Sequence, residues 1–170
     1  MAGLRFKPLH LGRSPWLLRP VILAATGFGL GLSPVASGTT GSLPGLAIVL
    51  LAARAGLTAI PAQVALAAAL TLLAIPICHL AERHFGRKDD GRIVADEYLT
   101  FPIGLIGLPL VPWVLALAFV TNRCLDILKP PPANRLQRVP GGLGIVLDDA
   151  VSAFYSLLVN HLVFWLVRHF

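Results

Sequence analysis

The sequence predicts an all-α protein, a polytopic bundle of membrane helices, and three observations carry that prediction. Hydrophobic residues make up 56% of the 170-residue chain, and the mean hydropathy is +0.77. Charged residues are 13% of the chain, against roughly 25% in a typical soluble domain. Apolar runs also recur with lengths near the about 20 residues that a spanning helix needs. One small soluble core cannot hide this much apolar surface. The length suits one domain, read as a basic N-terminal leader over 1–20 followed by a single membrane-embedded domain over 21–170.

The leader carries Arg5, Lys7, Arg13 and Arg19. They spread along it without the compact apolar stretch and cleavage site of a signal peptide. Residues 21–45, "VILAATGFGLGLSPVASGTTGSLPG", begin apolar and then become rich in Gly, Ser, Thr and Pro. Irregular backbone at membrane depth survives where protein or a wet cavity buries it, so this stretch reads as lining a site. Residues 46–60, interrupted by Arg54, and 62–81 read as a helical hairpin broken near Pro61. Pro76 kinks the second helix without ending it.

Residues 98–120, "YLTFPIGLIGLPLVPWVLALAFV", are long enough to span but contain Pro102, Gly104, Gly107, Pro109 and Pro112. The flanking segments, 82–97 and 121–149, are both basic, and Lys and Arg favour the cytoplasmic side. A re-entrant helical hairpin at about 98–120, broken near Gly107 to Pro112, returns both segments to one face. The alternative is a true span that leaves one basic segment outside. A last apolar helix runs over 150–167. Asp148, after a Gly-rich turn, is a candidate for its N-cap.

The acids carry the chemical signal. All eight lie between Glu82 and Asp149. Seven of them form three groups: Asp89, Asp90, Asp96 and Glu97; Asp126; and Asp148 with Asp149. A carboxylate at a bilayer centre costs about 3 kcal/mol on insertion scales, and several at one surface repel each other. A hard divalent cation relieves both, and Mg²⁺ takes one or two carboxylates with water and substrate phosphate. Arg87, Lys88, Arg92, Arg123, Lys129, Arg135 and Arg138 lie nearby and suit phosphoryl oxygens. "SGTTGS", 37–42, adds hydroxyls and a backbone able to approach phosphate.

The net charge of +6 points to an anionic membrane surface or lipid. No basic helix with interleaved aromatics marks a nucleic-acid face. Cys78 and Cys124 lack disulfide or zinc spacing. The His residues stand apart from the acid groups, and neither a Gly-x-Ser-x-Gly elbow nor a His-Glu-x-x-His motif occurs. A metal-activated water is therefore a better nucleophile than a Ser–His pair.

Three blocks of the chain resemble the phosphatidylglycerophosphatase A family. "GFGLGLSPVASGTTGSLPG" is similar to its Gly-Thr-x-Gly-Ser block, and "KDDGRIVADEYLTFP" to its Asp-x-Gly-x-Ile-Val-x-Asp-Glu block. "RCLDILKPPPANRLQRVPGGLGIVLDDAVSAFY" is similar to its Asp-x-x-Lys-Pro and Gly-Gly-x-Gly-Ile-x-x-Asp-Asp block. The resemblance implies a Mg²⁺-dependent, multi-pass phosphatase of the bacterial inner membrane whose active site faces the cytoplasm. Its substrate would be the phospholipid phosphatidylglycerophosphate and its products phosphatidylglycerol and inorganic phosphate.

On that resemblance, Asp96, Glu97, Asp148 and Asp149 hold metal, while Asp126 or Asp89 orients or deprotonates the attacking water. Lys129 and Arg135, with Arg138, Thr39 and Ser42, meet the phosphoryl group. The chain departs from the family pattern at Ser37, Pro140 and Ser152-Ala153, and keeps every acid. Two alternatives are a CDP-alcohol phosphatidyltransferase, whose downstream motif residues are missing here, and a small ion-transport subunit, which would need acids inside the spans. The sequence is silent on oligomeric state.

Overall fold

The computed structural model describes residues 15–34 and 36–170, with side chains from Leu18 onward. The described residues are helical and contain no strand. Most of the expected leader, including Arg5, Lys7 and Arg13, lies outside them.

The elements run α1 (Pro15–Ala25), a 3₁₀ turn (Leu30–Leu32), α2 (Ser37–Gly41), α3 (Leu43–Arg54), α4 (Ile60–Phe85) and α5 (Ala95–Thr100). A second 3₁₀ turn (Phe101–Leu105), α6 (Pro112–Leu128), α7 (Ala133–Leu136) and α8 (Gly142–His169) complete the chain. Helix α1 crosses the expected leader boundary at residue 20. The Gly/Ser/Thr/Pro stretch is broken as its composition requires, into short helices joined by turns.

Helices α4 and α8 are 26 and 28 residues long, with mean hydropathies of 2.2 and 1.7 over their apolar windows. At about 1.5 Å per residue each exceeds the ~30 Å of a bilayer's hydrocarbon core. Both are long and apolar enough to cross a membrane. Helix α4 continues through Pro76. Within each apolar window 22% is buried inside the protein, so Leu72 and Leu73 on α4 and Leu158, Leu162 and Trp165 on α8 face outward.

Helix α8 packs against α4 and α6, and α1 packs against α4. One core cluster joins Ala74, Cys78 and Ala81 of α4 to Tyr98 and Leu99 of α5 and to Ile145 and Val146 of α8. A second joins Phe101, Leu105 and Leu108 to Val114 and Ala118 of α6. A buried polar network ties these layers together. Asn160 Nδ2 donates to the Gly104 carbonyl at 2.9 Å, and Asn160 Oδ1 accepts from Thr121 Oγ1 at 2.8 Å.

Two expectations about the start of the last helix change. Gly141, at φ 75, stands at the helix N-cap, so α8 begins at Gly142 and Asp148 lies well inside it. Asp148 is therefore not the N-cap. The glycines that follow are also more than a pliable turn. A Cβ on Gly142 would stand 2.2 Å from the Ile75 carbonyl oxygen and 2.5 Å from the His79 nitrogen. Glycine is needed there because two helix backbones touch.

Residues 98–120 do not form one continuous helix. Pro102, Gly104, Gly107 and Pro109 interrupt them, with a 3₁₀ turn over Phe101–Leu105 and Gly107 at φ 76, before Pro112 starts α6. The chain then turns back, so that Glu97 before the break meets Arg123 near the far end of α6.

Candidate active site

The acid groups converge on one cavity of about 260 Å³. It is lined by Ser37 and Gly38 of α2, by Asp89, Asp96 and Glu97, by Arg123, Asp126 and Lys129, and by Asp148 and Asp149 of α8. Six carboxylates and two cations from three parts of the chain, 89–97, 123–129 and 148–149, therefore meet at one place, with α2 as a fourth wall.

Local structure explains how each arrives. Asp148 and Asp149 are neighbours on α8 and both are buried. Asp96 and Glu97 sit in the first turn of α5, where negative charge suits the helix dipole. Lys129 closes α6 in the left-handed conformation, at φ 44, and its Nζ donates to Asp148 Oδ2 at 2.6 Å. Asp89 also has a positive φ, of 49, and accepts a hydrogen bond from Gln137 Nε2. Such conformations cost about 1 kcal/mol or more in non-glycine residues. Both occur at the cavity wall.

Arg123 bridges two acids. Its Nη1 lies 2.9 Å from Glu97 Oε2 and 2.9 Å from Asp126 Oδ2. Ser42 Oγ lies 2.9 Å from the same Glu97 oxygen and 2.8 Å from the Gly38 carbonyl oxygen, so its single proton has both as acceptors within reach. Gly38 lies beneath this pair: a Cβ there would come within 2.5 Å of Glu97 Oε1 and 2.6 Å of Arg123 Nη2.

Not every charged atom is answered. Asp96 Oδ1 and Asp149 Oδ2 are buried without a hydrogen-bond partner among the described residues, and so is Arg123 Nε. Burial, followed by the charges of Glu97 and Asp89, pushes the Asp96 carboxyl well above the ordinary range. Burial pushes Glu97 up to about 7, against the pull of Arg123. Buried acceptor oxygens without donors cost free energy. Among the described residues, no three His, Cys, Asp or Glu side chains form a ready metal cage. The donor set nevertheless fits a hard cation of the Mg²⁺ type, which needs one or two carboxylates and completes its shell with water and phosphate.

Comparison with known proteins decides the family. The pattern described as Phosphatidylglycerophosphatase A matches residues 23–164. The chain belongs to the phosphatidylglycerophosphatase A family. It is 37% identical to the phosphatidylglycerophosphatase A of Haemophilus influenzae over 147 residues, 84% of this chain and 88% of the relative. It is 38% identical to that of Escherichia coli over 141 residues, 81% of this chain and 79% of the relative. No solved structure matches the chain.

Against this family frame, the structure brings together all six acids singled out in the sequence, with Lys129. Ser42 is buried beneath Glu97, behind the cavity wall. Thr39, Arg135 and Arg138 are exposed and do not line the cavity. Asp90 is held apart in its own ion pair, with Arg92 Nε 2.7 Å from its Oδ1. The bond from Arg92 lowers its carboxyl below the ordinary range, against the effect of burial. Arg123 is the site residue to which sequence reasoning gave no individual role. Its signal was the i, i+3 spacing to Asp126, which sets both on one face of α6.

Proposed function

We propose that this chain is a phosphatidylglycerophosphatase that hydrolyses phosphatidylglycerophosphate to phosphatidylglycerol and inorganic phosphate with Mg²⁺. The observation that carries this reading is one cavity that combines partnerless carboxylate oxygens, on Asp96 and Asp149, with the cations Arg123 and Lys129. The first pair suits a metal, and the second suits a phosphate. The names of the relatives supply the lipid.

Asp96 and Asp149, with Glu97 and Asp148 beside them, would hold the Mg²⁺. When bound, it would neutralise phosphoryl oxygens and make a water more acidic. Lys129 and Arg123 present N–H donors to the terminal phosphate, which displaces part of their present bonding to Asp148, Glu97 and Asp126. Asp126, held by Arg123, and Asp89, held by Gln137, are the two carboxylates placed to orient the attacking water and take its proton. The water oxygen attacks phosphorus, the bond from phosphorus to the glycerol oxygen breaks, and that oxygen leaves as the alcohol by taking up the proton that one of these carboxylates removed from the water.

The same reading sets the chain in the bacterial inner membrane as a multi-span bundle, with the site at the cytoplasmic face. Outward-facing apolar residues on α4 and α8 support it. The contact between Glu97 and Arg123 supports a re-entrant hairpin over 98–120, because it brings both basic segments to one side.

The deciding assay is phosphate release from the lipid by the purified chain, with Mg²⁺ and with EDTA. Turnover with Mg²⁺ that EDTA abolishes is expected. Equal turnover in EDTA would exclude the metal, and no turnover under either condition would exclude the reaction.

A further inference from the structure

A second polar pocket, of about 420 Å³, adjoins the carboxylate cavity. Ser37 and Gly91 line both. Its charged residues are Arg87, Asp90 and Arg92. Asp90 neutralises Arg92 through two contacts, Nε to Oδ1 at 2.7 Å and Nη2 to Oδ2 at 3.0 Å. Arg87 is exposed and makes no ion pair among the described residues, so the pocket carries one unbalanced positive charge.

Beyond it lies a mostly apolar groove of about 570 Å³ between α1 and α4, walled by Ile22, Leu23 and Phe85, with Arg19 and His84 also in its lining. Leu32 lines both the groove and the Arg87 pocket. Arg92 ties the two together, with its guanidinium carbon 4.0 Å from the centre of the Phe85 ring.

Three compartments thus follow one another: a cavity dominated by carboxylates, then a polar pocket with one excess cation, then a mostly apolar groove. A phospholipid that ends in a glycerol-linked phosphomonoester has the same order of parts. Its terminal phosphate is followed by glycerol, then a singly charged phosphodiester, then two acyl chains. We propose that the Arg87 pocket is the subsite for the internal phosphodiester, with Arg87 as the residue that binds it. This rests on the phosphatase reading above and adds to it the means by which the enzyme selects a lipid bearing two phosphates. Charge complementarity fixes the choice: one unpaired guanidinium meets one diester charge, and a charge-assisted bond of this kind is among the stronger polar contacts.

The test uses the full chain in mixed micelles with Mg²⁺, comparing the parent with Arg87→Gln and Arg87→Lys. Arg87 is exposed, so neither change threatens the core. For Arg87→Gln we expect the KM for phosphatidylglycerophosphate to rise about tenfold, the factor that corresponds to about 1.4 kcal/mol, with kcat little changed. The inhibition constant of phosphatidylglycerol, which carries the diester and no monoester, should rise by the same factor. Inhibition by inorganic phosphate should not move, and Arg87→Lys should recover part of the loss. An unchanged KM overturns the proposal. So does an equal weakening of inorganic phosphate, since Arg87 would then serve the terminal group. A parent that releases no phosphate from the lipid fails at the earlier step and removes the phosphatase reading itself.

Discussion

Arg123 and Glu97 meet with 2.9 Å between Nη1 and Oε2, and this contact closes the chain's return from α5 through the broken segment to α6. Both side chains are mostly buried, at 15% and 14% exposure, and the same nitrogen also serves Asp126. Removing the guanidinium leaves two carboxylates without their cation. Breaking a fully buried pair costs about 3–5 kcal/mol, and partial exposure lowers the figure here to about 2–3 kcal/mol. Arg123→Gln should therefore lower the melting temperature clearly. It should also cut phosphate release by about 10²-fold or more, the scale of a lost electrostatic donor. Arg123→Lys restores charge without the planar fork and should recover stability more than activity. Denaturant melts alongside turnover would measure both, and an Arg123→Gln protein with parental values in each would refute the assignment.

Asp149 should separate activity from stability in the opposite direction. Its Oδ2 is buried without a partner, and the carboxylate shares the cavity with five others. Asp149→Asn removes one repelling charge while keeping shape. The metal-free variant should melt at or above the parent's temperature. Turnover should fall by about 100-fold or more, at or beyond the upper end of the roughly 10–100-fold lost when a partner outside the metal's own ligands is changed. The stabilisation gained on adding Mg²⁺, which scales with the logarithm of metal over its dissociation constant, should shrink. A variant as active as the parent would remove Asp149 from the site.

The pH dependence of the metal-free chain follows from Glu97. Burial raises its carboxyl from 4.5 to about 7, with Arg123 acting in the other direction. The folded state then binds the proton more tightly than the unfolded state. That stabilising contribution is complete below about 4.5 and is lost as pH rises through about 7. Asp96, also raised by burial, acts in the same sense. In EDTA, melting temperature should fall across this window, and Glu97→Gln should flatten the fall. A metal-free melting temperature that rises between these values would contradict the burial of these acids as charged neighbours.

Much of this arrangement was legible in the sequence, for identifiable reasons. Long apolar runs specify α4 and α8 because a helix that buries 22% of its apolar window must be apolar on almost every side. Acids are absent from both ends of the chain, and six of the eight collect in the cavity. What the sequence left open depends on contacts between distant segments. Arg123 is one Arg among several until α5 is brought beside α6. Asp148 looks like a cap until the glycines before it prove to be helical. Thr39, Arg135 and Arg138 share the composition of a phosphate site, yet they lie outside the cavity lining, because helix faces place Thr39 and Arg135 and Arg138 sits in the turn after α7.

Glycines give the last prediction, because two of them stand against different kinds of neighbour. The Cβ of Gly142→Ala would meet backbone atoms, the Ile75 carbonyl oxygen at 2.2 Å and the His79 nitrogen at 2.5 Å. Backbone in a packed helix cannot give way alone, so α8 must shift from α4. Overpacking of this kind costs about 1–3 kcal/mol. The shift also carries Asp148 and Asp149 with it, so stability and turnover should fall together. The Cβ of Gly38→Ala would instead meet the ends of two side chains, Glu97 Oε1 at 2.5 Å and Arg123 Nη2 at 2.6 Å. Those ends can swing aside, which spares the fold and disturbs the carboxylate–guanidinium geometry. Gly38→Ala should therefore lose turnover with a change in melting temperature smaller than that of Gly142→Ala. Measuring both quantities on both variants tests the contrast, and a Gly38→Ala chain that unfolds readily while Gly142→Ala stays intact would reverse it.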